Sequence, residues 1–403
     1  MALLKKSAAV VVAALVGYFF GTRGYLGDPV ESSFYGFLTS LLLAVGLVGS
    51  TRDIALRDLR RDIGTVVAAL TIGVLAKAAI ITAVMYAVLR TPAALVLGVV
   101  VAQIDPLSVA AMGRASKLSP RGRSILSLWA SFDDPVTVVL TIYVSAWTRA
   151  LADNAQSPGW SIGQLVGLVA DLWWNCLFAG GAFVVWQLLR IVCRRLSLAS
   201  PAQRPDQPVD AVARAGTVIL LGGLVLVAAE YFLMLGLAIA GLFFRPWLGR
   251  VFDATTQVAF IVAAFVLGML LVHGVDLGSG IVLGVAAVLA QAVVSLWFSR
   301  KLPRRDRAYL AAAQQNGVTA VILAVLLERD FPGTVGLVAP AIITINLIHG
   351  LWNAYLDYRY AGSEPSLEGN AGSVTGRCEY RGSTGPPIPM RPRSPMRPRP
   401  AER

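Results

Sequence analysis

The sequence predicts an all-α membrane protein of about twelve transmembrane helices, built as an inverted repeat with two crossed, broken helices. Three observations carry that expectation. Of 403 residues, 56% are hydrophobic and only 14% charged, with a mean hydropathy of +0.67; a soluble domain holds about 25% charged residues. Twelve apolar runs, nearly all long enough for ~30 Å of hydrocarbon, divide the chain. The basic residues between them fall on alternate sides.

The runs lie at 7–22, 33–50, 63–89, 92–113, 124–148, 161–189, 214–229, 231–244, 254–273, 279–299, 308–327 and 334–357. The first follows Lys5-Lys6 as a signal peptide would. The bulky Gly17-Tyr18-Phe19-Phe20 offers no small-residue cleavage site, so it reads as a helix. The fourth carries Gln103-Ile104-Asp105-Pro106 and the fifth Phe132-Asp133-Asp134-Pro135. Asp171 lies in the sixth, Glu230 between the seventh and eighth, Gln291 in the tenth, and His273 and His349 in the ninth and twelfth. The eleventh opens with Gln314-Gln315-Asn316-Gly317.

A cytoplasmic N-terminus places 22 loop Lys and Arg residues inside, in groups such as Arg52–Arg61, Arg114–Arg123 and Arg300–Arg307. Only Arg23, Arg90, Arg149 and Arg329 then fall outside. That asymmetry predicts an even number of crossings, both termini in the cytoplasm and an inner or plasma membrane setting. It also accounts for the net charge of +12 without invoking nucleic acid. Cys176, Cys193 and Cys378 lack metal-ligand spacing and read as buried, inert thiols. No nucleophile–base set or cofactor motif is present, so no enzyme is expected. After 358 the apolar pattern gives way to Gly, Ser, Pro and Arg. Residues 1–358 therefore read as the membrane domain and 359–403 as a disordered cytoplasmic tail whose arginines could meet lipid headgroups.

Runs 63–148 and 279–357 echo one another, each with a middle member rich in polar or helix-breaking residues. That is the pattern of an inverted repeat with its site at the midplane. A carboxylate there costs at least ~2.5–3.5 kcal/mol and faces a polar cavity. Pro106 removes the partner of the Ala102 carbonyl, and Pro135 that of Ser131, which predicts open carbonyl oxygens beside Asp105 and Asp134. Oxygen ligands of that kind suit an alkali cation.

The stretch Ala102-Gln103-Ile104-Asp105-Pro106-Leu107-Ser108-Val109, a basic loop and Ser131-Phe132-Asp133-Asp134-Pro135-Val136 resemble the monovalent cation:proton antiporter superfamily, the sodium/hydrogen exchanger domain. Leu43-Ala44-Val45-Gly46-Leu47 and the Arg52–Arg61 loop extend the likeness, which covers roughly 33–357. The resemblance implies a homodimeric secondary transporter exchanging Na⁺, or K⁺ or Li⁺, for H⁺ by alternating access. A non-exchanging cation channel or proton sensor is the alternative it leaves open. It implies that Asp134 binds cation or proton in turn, with Asp105 as the aspartate of an unwound helix and both as transient metal ligands. Asp133 takes the position that is Asn in electroneutral relatives and Asp in electrogenic ones.

The chain also departs from the family pattern. Ile104 replaces a threonine and Trp129 a glutamate. Gln291 stands where electrogenic relatives carry a lysine, and Asn316 where many carry an arginine. Ile104, Ser131, Gln291, Asn316 and Gly317 are expected to line the cavity. Lys77 lies mid-run, 28 residues before Asp105, as Gln291 lies 26 before Gly317. It is expected to supply the missing positive charge by pairing with Asp133 or Asp105, with Asp171 left open as another partner.

Overall fold

Thirteen helices account for nearly all the described residues of the computed structural model, which are 2–24, 29–52, 64, 68–105, 109, 118–153, 162–198, 208–243, 249–314 and 316–360. Arg57, Arg60 and Arg61, Pro106, Gln315 and the tail from 361 lie outside them. In chain order the helices are α1 (Ala2–Arg23), α2 (Ser33–Arg52), α3 (Val74–Leu89), α4 (Ala93–Val100), α5 (Pro120–Asp153), α6 (Ile162–Leu198) and α7 (Pro208–Tyr231). There follow α8 (Met234–Phe243), α9 (Gly249–Leu270), α10 (Leu277–Phe298), α11 (Arg304–Ala311), α12 (Val318–Glu328) and α13 (Thr334–Arg359). Among the described residues there is no strand.

Each apolar run of the sequence contains helix, and the run at 308–327 is split between α11 and α12. Six spans among the described residues are both long and apolar enough to cross a bilayer: Thr71–Leu89, Pro120–Arg149, Ala170–Val192, Ala254–His273, Leu277–Phe298 and Thr334–Arg359. Shorter apolar helices at Ala9–Arg23, Phe34–Gly49, Gly216–Tyr231 and Thr319–Glu328 add to them. This is a multi-pass membrane architecture.

Ser119 and Asp306 come from two loops expected on one face. They meet through Ser119 N–H on Asp306 Oδ1 at 3.0 Å and Ser119 Oγ on Oδ2. Arg149 and Asp330, expected on the opposite face, pair at 2.9 Å. Both contacts respect the alternation read from the loops. Being half-exposed, the Arg149–Asp330 pair contributes only about 0–1 kcal/mol.

Small residues let the helices approach closely, as membrane packing requires in the absence of a hydrophobic drive between helices. On α1, Gly17 and Gly21 lie against α9; a Cβ on Gly17 would sit 2.0 Å from the Phe265 carbonyl oxygen, and one on Gly268 would sit 2.0 Å from that of Ala14. Gly280 and Gly284 of α10 meet α13 in the same way, at Leu337 and Ala341. We expect Gly17→Leu to prise α1 from α9 and lower stability by about 1–3 kcal/mol, read as a fall in the thermal unfolding midpoint in detergent. An unchanged midpoint would show that this contact does not hold the bundle.

α3, α4 and α5 pack on one another, α10 packs on α3 and α13, and α12 reaches α2, α9 and α13. α6 packs chiefly on α8 and presents Trp173 and Trp174 at 62% and 61% exposure. One sequence expectation fails on this helix, and one alternative that the sequence left open finds no support there. Cys176 is exposed rather than buried, and Asp171 is exposed at the helix surface. Asn175, one turn on, is buried; its Oδ1 accepts from Gly236 N at 2.9 Å and its Nδ2 donates to the Asp171 carbonyl at 2.9 Å.

Candidate functional site

Two helices stop inside the bundle, and their broken ends meet. α4 ends at Val100 and the chain runs non-helically through 101–105; α11 ends at Ala311 and α12 begins only at Val318. The opened backbone is satisfied by side chains from the opposite break. Gln314 Nε2 donates to the carbonyls of Val101 and Gln103, both at 2.9 Å, and Asn316 Nδ2 donates to Val101 O at 3.3 Å. Gly317 permits the crossing, because a Cβ there would lie 2.5 Å from Asp105 Cγ and Oδ2.

Asp134 occupies this junction, 3% exposed. Its Oδ2 accepts from Thr319 Oγ1 at 2.9 Å. The Gln103 amide is oriented by its partners: its nitrogen faces Asp134 Oδ1 at 3.0 Å and its oxygen accepts from Ala320 N at 2.6 Å. The first turn of α12 thus meets the carboxylate with its hydroxyl and directs its N-terminal dipole end toward it. Asp105, partly buried, lies beside Gly317 on the same break.

Asp133, one residue earlier, looks elsewhere. Its Oδ2 receives Lys77 Nζ at 2.9 Å and Ile104 N at 2.8 Å, with both charged side chains 0% exposed. Lys77 Nζ also stands 5.4 Å from the centre of the Trp129 ring. Of the partners left open by the sequence, Lys77 therefore sits with Asp133; Asp171, on exposed α6 surface, does not take that place. Ile104 offers its backbone N–H in place of a threonine hydroxyl, and its side chain joins the apolar cluster around Trp129, Tyr309 and Leu310.

Pro135 does not break its helix, since α5 runs unbroken from Pro120 to Asp153. Lacking an N–H, Pro135 still offers the Ser131 carbonyl no helical partner. Ser131 Oγ donates to Ser127 O at 2.8 Å, and Thr137 Oγ1 lies 2.8 Å from Asp133 O and 3.0 Å from Asp134 O. Gln291 is fully buried and donates to Leu310 O at 3.2 Å, at the end of α11.

Four residues at the site escape the sequence reading: Thr319, Asn346, Asn353 and Thr137. Asn346 Nδ2 reaches Asn316 O at 3.1 Å, Asn353 Nδ2 reaches Ala312 O at 3.2 Å, and His349 Nδ1 binds Ala312 O at 2.8 Å. Their spacing of i, i+3 and i+7 is the mark of one helix face, and it lies in plain view within an apolar run. Among the described residues no cluster of three or more His, Cys, Asp or Glu side chains is arranged to hold a resident metal.

No protein-family model matches the chain. It is 27% identical over 262 residues to the K(+)/H(+) antiporter NhaP2 of Shewanella baltica (strain OS223), a match covering 60% of this chain. It spans 41% of that relative's length. Its fold is similar to that of the sodium proton antiporter MjNhaP1 from Methanocaldococcus jannaschii at pH 8. The TM-score is 0.53 at 19% identity, over 90% of this chain and 98% of the other. An electron-microscopy structure of MjNhaP1 gives 0.51 at 20%, over 88% and 89%. At such identities the likeness to the solved structures is one of fold.

Proposed function

From a chain that shares motifs, aligned sequence and fold with the monovalent cation:proton antiporter superfamily, we propose a secondary transporter that exchanges a monovalent cation for protons at Asp134. The observation that carries this reading is a buried carboxylate at the meeting of two broken helices, lined by Thr319, Gln103 and Asp105. A bare carboxylate is costly away from water, so either a proton or a cation must neutralise it before it can cross between the two sides. The two ligands compete for the same oxygens, and the empty anion crosses poorly. Alternating exposure of that one site to each side then couples the two flows. Asp105 supplies a second anionic oxygen set to the cation, while Asp133 is held by Lys77 and stays out of the exchange. The cytoplasmic orientation of both termini, a plasma or inner membrane location and a dimeric assembly belong to this same proposal.

The test is direct. Purified protein in proteoliposomes should collapse a preset proton gradient when K⁺, Na⁺ or Li⁺ is added outside, and restore it when the cation gradient is reversed. Cation flux with no proton movement would replace exchange by a channel.

A second prediction follows from the tight passage at Gly317. Gly317→Ala would drive a methyl group against Asp105, and we expect the apparent cation affinity to fall by about tenfold or more. Helical content by circular dichroism should hold. Unaltered affinity would show that Asp105 can move aside without cost and has no fixed place in cation binding.

A further inference from the structure

Beside the aspartate site, the second break is ringed by four side-chain amides whose nitrogens are spent. Gln291 donates to Leu310 O at 3.2 Å, Gln314 to Val101 O and Gln103 O at 2.9 Å, Asn346 to Asn316 O at 3.1 Å and Asn353 to Ala312 O at 3.2 Å. Each nitrogen faces a carbonyl, so rotating any of these amides would set oxygen against oxygen. Their oxygens consequently point away from those contacts. Gln291 Oε1, Gln314 Oε1, Asn346 Oδ1 and Asn353 Oδ1 are all buried, and none accepts a hydrogen bond among the described residues.

Buried amide oxygens are rarely left without a partner, and four around one stretch of seven residues, 310–316, form a pattern. The local donors are already committed. Asn316 Nδ2 is on Val101 O at 3.3 Å, its Oδ1 takes Gln314 Nε2 at 2.9 Å, and His349 Nδ1 is on Ala312 O at 2.8 Å. A cluster rich in acceptors and poor in donors is relieved by a cation. The four ligands are neutral. Of the carboxylates around the break, Asp134 accepts from Thr319 at 2.9 Å, Asp105 lies against Gly317, and Asp357 accepts from Tyr309 Oη at 2.6 Å.

We infer that these amides form a neutral oxygen station for a dehydrated monovalent cation, adjoining the Asp134 site but separate from it. The inference rests on the exchange reading and deepens it by naming a cation class. Neutral oxygens replace a hydration shell without the deep well of a carboxylate, so the ion can enter and leave. Their weak field repays less dehydration than an anion does, which favours K⁺ over the more strongly hydrated Na⁺ and Li⁺. The station sets selectivity and Asp134 sets proton coupling.

Two variants at one position separate the oxygen from the scaffold. Gln291→Met removes both amide atoms, whereas Gln291→Glu keeps an oxygen and loses the donor to Leu310. In proteoliposomes, Gln291→Met should raise the apparent KM for K⁺ about tenfold and that for Na⁺ by less, so that the preference for K⁺ over Na⁺ falls. Gln291→Glu, which puts a strong-field carboxylate oxygen in place of the amide, should bind K⁺ no more weakly and shift the preference toward Na⁺. Equal losses in both variants, for both cations, would mean that Gln291 only braces α11, and the station would fall. Crystals of the full chain grown in RbCl give the direct reading: an anomalous Rb⁺ peak at coordination distance from Gln291 Oε1 supports the station. A peak at Asp134 alone, or an ordered water alone at the amides, overturns it. If the wild-type protein exchanges nothing, the exchange reading fails by itself, and the Rb⁺ map still decides whether the amides hold a cation.

Discussion

Asp134→Asn is expected to abolish cation-driven proton movement while leaving the protein folded. Asparagine can still accept from Thr319 Oγ1, now 2.9 Å from Asp134 Oδ2, so the junction keeps one of its hydrogen bonds. It cannot be protonated in the working range or carry the charge that a cation neutralises. The side facing Gln103 becomes a donor, so that amide must turn and give up its contact with Ala320 N. That local loss costs on the order of 1 kcal/mol, far too little to unfold the chain. The measurement is the change in fluorescence of a trapped pH dye on cation addition, at several pH values, beside a thermal unfolding control. Exchange that persists in a well-folded Asp134→Asn protein would sink the mechanism.

Lys77→Met should destabilise the protein more than any other single change considered above. It leaves the Asp133 carboxylate fully buried, with Ile104 N–H still donating to Oδ2 at 2.8 Å. Removing one partner of a buried ion pair costs about 3–5 kcal/mol, whereas removing both can be nearly neutral. Asp133→Asn in the Lys77→Met background should therefore recover most of the lost thermal stability. A double variant as unstable as the single one would show that Lys77 matters through its packing on Trp129 rather than through its charge.

How far the sequence reached depends on the kind of information each feature needs. Hydropathy alone places helices in every apolar run, because a bilayer leaves the backbone few alternatives. The breaks are legible where residue chemistry forces them. Gly317 sits where a side chain would strike Asp105, and the polar run 314–316 cannot remain as bare backbone in lipid. Pro135 lies inside α5, which continues past it, so its missing N–H opens one carbonyl without ending the helix. The partner of Lys77 lies beyond one-dimensional reading: Asp105, Asp133 and Asp171 are equivalent as letters, and only the packing brings Lys77 to Asp133 and leaves Asp171 exposed on α6. Thr319, Asn346 and Asn353 have a different excuse. Their periodicity is visible, but hydroxyl and amide side chains in apolar runs are common, and nothing local says that a broken helix lies opposite.

Glu328, at the end of α12, grips the start of α13 with both oxygens: Oε1 takes Gly333 N at 2.8 Å and Oε2 takes Val335 N at 2.6 Å. At the opposite end, Asn346 and Asn353 of α13 hold the backbone that leads into α12. A rod fastened at both ends to its neighbour has no slack to bend by itself. On the exchange mechanism proposed above, the stroke takes α12 and α13 along as a single lever, pivoting at contacts with the rest of the bundle rather than at their own joint.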